Sequence, residues 1–565
     1  MGKLHVAGFK ICIFGILFLV PLVFWPGGEW LGGWPGFWLP FEIPKMIVFR
    51  VLLYLAVAGW LWKSFTDRRV SAPDVVRSWW FMGFAGAIVA VFLIATFFSV
   101  SFDMSFWGSS FRAQGLVAYL HYFLFFALLL VSFEREDFVR GLKVSGVALG
   151  IACVAGTLNR FGNLDTDLFL GRAFSTLGHP NYFASYILIL FFPLMGLVVG
   201  RGSGRAWRWG GGGVLLLSMV ALWLSGGRAT MLGILVGLPV FLGLIGRMRK
   251  KGWLGVLVGM GLAGLVVMGG WWSGGARFEM DGENLRSVET RLAMWPTVVE
   301  MIGDRPVFGY GPDTFSLAYQ PYTEPELLRL ETFRTIFDRA HNVLLQWLVD
   351  FGVVGAGMFL ASFVWLLVFA FRRMKGLARL EEAGVLSSLI GIFVAHQFGF
   401  SVTVHLVYLV FLIAFLLVGL SRGKIEFAVG CRPVLRGLVV SIWIGIVGAL
   451  LLPNILRFSE HDGFVHLSAA KTHIDVGEFE AAGPELEAAA DIMPLYPDVI
   501  FERGRFYYLQ GEMSKAVESF ELYISLAPED WKLEEGAGNL EKYRLFHKAN
   551  PGFGEAVKML EEARK

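Results

Sequence analysis

Long apolar runs recur along this chain and restrict its fold more than any other feature. The 565 residues are 56% hydrophobic and 17% charged, a composition typical of membrane proteins. A helix of about 20 apolar residues crosses a bilayer core of roughly 30 Å. The runs are too long for barrel strands, and lipid requires every backbone polar group to be paired within its segment. We therefore predict an all-α, polytopic membrane protein with about 12–13 transmembrane helices.

The expected transmembrane helices extend over most of the chain. Lys3 lies before the first apolar run and Lys10 lies at its start. No small-residue cleavage site follows the run, which favours a retained first helix over a signal peptide. We place the helices near residues 9–26, 44–62, 79–100, 115–133, 142–158, 181–200, 209–225, 228–247, 252–273, 342–371, 384–400, 403–421 and 435–455.

The distribution of lysine and arginine predicts the orientation. Alternate connections are basic, and those between them are poor in both residues. Positive loops remain inside, so the N-terminus is expected to be cytoplasmic. An odd number of helices places the C-terminus outside. Because the basic residues follow membrane topology, the pI near 8.6 does not indicate a nucleic-acid partner.

Motifs for metals and nucleotides are weak in this sequence. Cys12 and Cys153 lie in apolar helices, which predicts neither a disulfide framework nor a metal cluster. The glycines at 210–213 lack the Gly-Lys-Ser/Thr of a phosphate-binding loop. Asp165 and Asp167 have the spacing of a metal–diphosphate pair, but such a triplet is common by chance. We expect no metal and no cofactor.

One long connection, residues 274–341, interrupts the membrane helices and is expected outside. A connection of this length indicates a lid, a binding surface or a disordered insert. Its many aromatic residues argue against disorder. Arginines and aromatic rings beside a membrane suit an anionic headgroup and a sugar. The arginines are Arg277, Arg286, Arg291, Arg305, Arg329, Arg334 and Arg339.

Three residues at the outer surface are candidates for chemistry. His341 precedes Asn342, the expected N-cap of a transmembrane helix, whose positive end disfavours imidazolium and leaves a neutral general base. Arg228 follows a Ser-Gly-Gly turn, and Arg291 begins an amphipathic segment expected on the membrane surface. Two arginines at headgroup depth can bind a pyrophosphate. The alternatives are a packing role for His341 and snorkelling of Arg228 to lipid phosphates.

From about residue 460 the chain becomes charged and helical, and it repeats. Four positions recur at an offset of 34 residues, the period of a tetratricopeptide (TPR) helix pair. We predict a membrane domain over 1–458 and a TPR-like domain over 459–565 that does no chemistry and binds a partner protein or orients the acceptor. An unrelated pair of helical hairpins is the alternative. The positions are Gly477 and Gly511, Ala482 and Ala516, Leu486 and Phe520, and Pro494 and Pro528.

Five blocks, in their order and spacing over residues 105–420, resemble the O-antigen ligase/polymerase family of bacterial membrane glycosyltransferases. They are WGSSFRAQGL (107–116), FSTLGHPNYFASY (174–186), LSGGRATMLG (224–233), TRLAMW…DRPVFGYGPDTF (290–315) and RAHNVLLQWLVDFGVVG (339–355).

The resemblance implies a GT-C-like enzyme that transfers glycan from an undecaprenyl-pyrophosphate donor to an acceptor hydroxyl outside the membrane. The transfer would invert the anomeric centre and need no metal. By the same resemblance, His341 is the base, Arg228 and Arg291 bind the pyrophosphate, and Arg112 of the R-x-x-G block is a further donor contact. Members with a TPR domain are less well defined in function, so a glycan, a lipid and a protein all remain possible acceptors.

Other functions are compatible with parts of the sequence. A polymerase of O-antigen or exopolysaccharide and a protein O-oligosaccharyltransferase would use the same site. A polysaccharide transporter would carry charges deep in several helices, and here such charges are scarce. A membrane-anchored TPR scaffold would give His341 and the arginines no role.

The predicted topology can be tested with fusions at two serines. A reporter after Ser64 should lie in the cytoplasm and one after Ser459 outside, because basic loops stay inside. Alkaline phosphatase is active only outside and green fluorescent protein fluoresces only inside, so paired fusions measure the side. Both positions on the same side would contradict the topology.

Overall fold

The computed structural model describes residues 2–25, 41–109, 112–161, 171–200, 204–248, 282–322, 327, 337–374, 380–428, 439, 443, 445–448, 463–494, 496–525 and 551–564. These ranges are almost entirely helical, with two five-residue strands, and the predicted all-α class is confirmed. The predicted helix near 252–273, and most of the one near 435–455, lie outside the described residues.

The helices up to residue 419 follow the predicted order. Short helices that were not predicted lie at Phe102–Trp107 and within the outer loop. In order, the helices are α1 (Gly2–Leu19), α2 (Glu42–Asp67), α3 (Trp79–Phe97), α4 (Phe102–Trp107), α5 (Leu116–Ser132), α6 (Arg135–Phe161), α7 (Pro180–Val199), α8 (Arg205–Ser225), α9 (Arg228–Met248), α10 (Gly282–Asp304), α11 (Phe315–Ala318), α12 (Val343–Arg373), α13 (Leu380–Ala395) and α14 (Thr403–Gly419).

Several of these helices fit a bilayer by length and composition. In the described part of the chain, six are long and apolar enough to cross it, namely α2, α6, α7, α8, α9 and α12. Shorter apolar helices lie at Gly8–Leu19, Phe81–Phe97, Leu116–Ser132 and Thr403–Gly419. The chain is therefore a multi-pass membrane protein.

Helix α7 lies at the centre of the membrane core, between α8, α9 and α13. Its side chains from Phe183 to Phe192 are almost all buried. A Cβ at Gly233 of α9 would lie 2.6 Å from the carbonyl oxygen of Gly391 in α13. Small residues thus let these helices approach closely, as is common between helices in lipid.

Polar contacts join the connections that the charge pattern predicts to be cytoplasmic. Strand β1 (Arg69–Pro73) pairs antiparallel with β2 (Lys424–Ala428). Beside the strands, Asp74 accepts a hydrogen bond from Ser421 at 2.6 Å and pairs with Arg373 at 3.5 Å. The sequence did not predict these strands, which lie in short basic loops. Their contacts agree with the predicted grouping of the loops.

Helix α12 is not the continuous helix that the sequence predicts over 342–371. Gly352 adopts φ 64° and ψ −167° and breaks the helix in its N-terminal part. The outer loop pairs with the broken turn, where Tyr310 N–H donates to Val349 O at 2.7 Å and Val353 N–H donates to Pro306 O at 2.7 Å. The loop satisfies backbone groups that the break releases, and the break in turn anchors the loop.

Helix α10 contains the predicted amphipathic segment, and part of it is buried within the outer loop. Met294, Val298 and Met301 are fully buried, in a cluster with Tyr310 and other side chains of the outer loop. Val299, in the same segment, is 58% exposed. The outer loop therefore has a core of its own, and α10 buries these three side chains in it.

The C-terminal helices are α15 (Gly463–Val476), α16 (Phe479–Ile492), α17 (Pro497–Leu509), α18 (Met513–Ser525) and α19 (Pro551–Ala563). The turns at Gly477 and Gly511, 34 residues apart, both have φ +80°. Their hydrogen bonds also match, since the N–H of each glycine donates to the carbonyl three residues earlier, at 3.1 Å in both turns. The repeat is therefore visible in the backbone, while its identity as TPR and its boundary at 459 stay predictions.

Phe337 connects these C-terminal helices with the outer loop. Its ring packs against the cluster that contains Phe501 and Phe520, and also against the cluster of the loop. Within the loop it lies 5.8 Å from the ring of Tyr319. Because Phe337 is four residues before His341, the helical repeats contact the segment that carries the candidate base.

Replacing Gly352 with alanine should destabilise the protein. A Cβ there would lie 2.2 Å from Val307 O, and a left-handed backbone costs a non-glycine residue about 1–3 kcal/mol. Gly357→Ala is the matched control in the same helix, because a Cβ there meets nothing within 4 Å. Thermal unfolding in detergent measures both, and equal melting temperatures would contradict the role of the break.

Candidate active site

His341 lies at the junction of the outer loop and α12. Asn342 caps the helix as predicted, because its side-chain oxygen accepts from Leu344 N–H at 2.9 Å and from Leu345 N–H at 3.1 Å. The backbone of His341 has φ +52°, a left-handed conformation that is uncommon for a side-chain-bearing residue. The His341 ring packs edge-on against Phe400, with centroids 5.2 Å apart. Cap, turn and ring contact together fix its orientation.

Both backbone polar groups of Ala340, the residue before His341, are hydrogen-bonded. Ala340 N–H donates to Gln346 Oε1 at 2.9 Å, and Ala340 O accepts from Trp295 Nε1 at 3.0 Å. Trp295 lies one helical turn after Arg291 on α10. The contact therefore brings α10, and Arg291 with it, to the N-terminus of α12 beside His341.

The surroundings of His341 keep its imidazole neutral. Burial is the main cause that lowers its pKa to about 4, the positive charge of Arg291 is the next, and Asp338 opposes both. Arg112 and Arg339 also lower this pKa. The sequence argument attributed a neutral ring to the helix N-terminus, whereas the structure adds burial and three arginines as causes.

Arg112 lies against the same aromatic side chains. Its Nε donates to Asp338 Oδ2 at 2.6 Å, and its guanidinium lies 4.7 Å from the ring centroid of Phe400 and 5.5 Å from that of Tyr182. Burial opposes the ionised forms, but the pair raises the pKa of Arg112 and lowers that of Asp338. Arg112 is therefore a fixed cation that shares Phe400 with His341.

A second buried ion pair supports this segment. Arg339 Nη2 donates to Asp313 Oδ1 at 2.7 Å, and both side chains are at most 4% exposed. The other carboxylate oxygen of Asp313 accepts from Ser109 N–H at 2.7 Å and Gln114 N–H at 2.9 Å. This network ties the segment that carries Arg112 to the one that carries His341, so Arg339 has a structural task.

Arg228 begins α9 after a turn at Gly226, which has φ +63°. The turn is held by Arg172, whose Nε donates to Ser225 O at 2.8 Å and whose Nη2 donates to Asn181 Oδ1 at 3.0 Å. Burial lowers the pKa of Arg172, and the charge of Arg228 lowers it further. The structure thus places Arg228 beside another arginine that sequence reasoning missed.

His179 links Arg172 with the group around His341. Burial is the largest cause that lowers its pKa to about 3, followed by Arg172, Arg112, His341 and Arg291. Of the four predicted site residues, Arg112 and Arg291 therefore both act on His341. Arg228 is linked to this group through Arg172. The signal that could have revealed His179 was its position before Pro180 in the GHPN block.

The described residues contain no group of three or more His, Cys, Asp or Glu side chains that could hold a metal ion. The weak Asp165 and Asp167 pair lies outside the described residues. The arrangement that is present, a neutral imidazole among several arginines, can accept a proton beside a bound anion.

Replacing Asp313 with asparagine should strongly destabilise the protein. Breaking a buried ion pair costs about 3–5 kcal/mol because the remaining charge is uncompensated. Glu426→Gln is the matched control, because the exposed Arg69–Glu426 pair is 3.5 Å apart and such pairs contribute about 0–1 kcal/mol. Thermal melts that show equal, small shifts for both variants would contradict the structural role of the Asp313 network.

Comparison with known proteins identifies part of this chain. No curated protein matches it. Residues 213–360 match the family model described as O-antigen ligase. The matched segment begins in α8 and ends in α12, and it includes Arg228, Arg291 and His341. Residues 213–360 therefore form a domain similar to the O-antigen ligase family.

Proposed function

We propose that this protein transfers glycan from an undecaprenyl-pyrophosphate-linked donor to an acceptor hydroxyl at the periplasmic face of the cytoplasmic membrane. The observation that carries the proposal is the neutral His341 beside Arg291 within the matched domain, with Arg112 from an earlier segment acting on the same ring. A proton acceptor adjacent to fixed cations matches a reaction in which a hydroxyl attacks and a pyrophosphate leaves.

The proposed transfer inverts the anomeric centre and needs no metal. His341 takes the proton of the acceptor hydroxyl as its oxygen attacks the anomeric carbon. The bond from that carbon to the pyrophosphate breaks, and undecaprenyl pyrophosphate leaves with the electron pair. Arg112, Arg228 and Arg291 bind the pyrophosphate and stabilise the negative charge that it gains.

The related enzyme reactions share this site and differ in the acceptor. A polymerase adds the glycan to a second lipid-linked glycan, a ligase to a terminal lipid, and an O-oligosaccharyltransferase to a protein. The contact of Phe337 with the helical repeats supports a role for the repeats in holding the acceptor or a partner protein near His341.

A transport function has less support. Helix α2 buries Glu42, Lys45 and Arg50, and α6 and α13 bury Asp137 and Glu382, so buried charges are more numerous than the sequence suggests. Lys45, however, donates to Val23 O at 2.6 Å and to Thr176 O at 2.7 Å, which is a tie between neighbouring segments. Asp137 and Glu382 likewise pair with Lys10 and Arg135, each at 2.7 Å. These buried charges are therefore ties between segments rather than a transport path.

We expect Arg228→Ala and Arg291→Ala to abolish transfer while the protein still inserts and folds. Lysine at either position should restore only part of the rate, because it lacks the planar pair of donors. Arg305→Ala is the control, since Arg305 on the same loop donates to Phe98 O at 3.2 Å and has no assigned role. Transfer by purified proteins measures the effect, and full activity in either variant would remove that arginine from the proposed site.

We expect His341→Ala to lower turnover by roughly 100-fold or more with donor binding nearly intact. His341→Gln keeps a hydrogen-bonding side chain but no base, so it should be equally slow. Because a pKa of about 4 leaves His341 neutral at pH 6–8, the wild-type rate should be flat there and fall as the pH drops through about 4. A Gln variant with the wild-type rate would exclude His341 as the base.

A further inference from the structure

We propose that His179 and Arg172 form a second phosphate-binding element for the lipid donor, next to Arg112 and Arg291. The inference rests on the proposed function, and it assigns to two residues outside the matched segment the binding of the same pyrophosphate. No covalent step is involved, since both side chains act as hydrogen-bond donors.

The orientation of the His179 ring makes it a donor. Nδ1 lies 3.1 Å from the backbone N–H of Asn181 and accepts its hydrogen bond. In a neutral ring the proton is then on Nε2, on the other side of the imidazole. The ring also packs on Tyr182, with centroids 4.7 Å apart. Backbone and aromatic contacts thus fix a single N–H donor at the start of α7.

The charged groups with the largest effect on the His179 ring are cationic. Three arginines, Arg172, Arg112 and Arg291, act on its ring and disfavour imidazolium. A histidine that served only to cap α7 would gain nothing from them, and Ser, Asn or Asp would cap the helix at least as well. Several cations gathered around a neutral N–H donor are the surroundings that a phosphate group requires.

Arg172 presents its charge to the same region. In the described part of the chain, the oxygens that accept from it are neutral, namely the carbonyls of Ser225 and Gly226 and the side-chain amide of Asn181. Arg172 also lies close enough to Arg228 for the two charges to disfavour each other. A dianionic group bound between them would turn this repulsion into attraction, and the planar guanidinium suits phosphate.

The test measures binding of undecaprenyl pyrophosphate to the purified full-length protein in nanodiscs. His341→Ala serves as the parent, so that no turnover occurs. His179→Asn keeps the helix cap but removes the ring, and Arg172→Gln removes the charge. Arg305→Gln is the control, because it removes a positive charge from the outer loop at a residue outside the proposed element. We expect both site variants to raise Kd by about 10-fold or more, the size expected for one hydrogen bond to a charged group, and the control to leave Kd unchanged.

Undecaprenyl monophosphate is the second probe. If the element binds the second phosphate, the variants should lose most of the parent's preference for pyrophosphate over monophosphate, a change that a destabilised fold would not produce. His179→Ser, which also caps the helix, replaces His179→Asn if the latter melts at a lower temperature than the parent.

The outcomes separate the two proposals. Site variants that bind pyrophosphate as tightly as the parent, with the same preference, would overturn the inference and leave His179 as a helix cap. A parent that shows no saturable binding of undecaprenyl pyrophosphate would instead contradict the proposed function.

Discussion

The break of α12 at Gly352 is the constraint on which the outer loop depends. A helix in lipid must pair its own backbone groups, and this helix leaves several to the loop segment around Tyr310. The same contacts stabilise the core of the outer loop, and the buried face of α10 packs against that core. α10 in turn brings Trp295 to the peptide before His341. The position of the candidate base therefore depends on an interruption inside a transmembrane helix.

Electrostatic organisation follows from this framework. Two carboxylates each hold one arginine, the partly buried Asp338 with Arg112 and the buried Asp313 with Arg339. These pairs fix the loop segments but leave the region around His341 and His179 dominated by positive charge. Such a region holds its imidazoles neutral and favours an anion, so one arrangement serves both proton acceptance and phosphate binding.

The helical repeats are less separate from the membrane domain than their composition implies. Phe337 belongs to the packing of both the repeats and the outer loop. A displacement of the repeats would therefore act on the segment that continues through Asp338 to His341. This contact couples the position of the repeats to the candidate site.

The sequence by itself determined features that depend on short-range interactions. These are the membrane class, the Asn342 cap, the turn before Arg228 and the 34-residue repeat. Each depends on residues close together in the chain. Only the tertiary structure decided which side of α10 is buried, where α12 breaks and how Arg112 meets Asp338, 226 residues away. A single sequence carries no local signal for such pairs, because they depend on which distant segments the packed helices bring together.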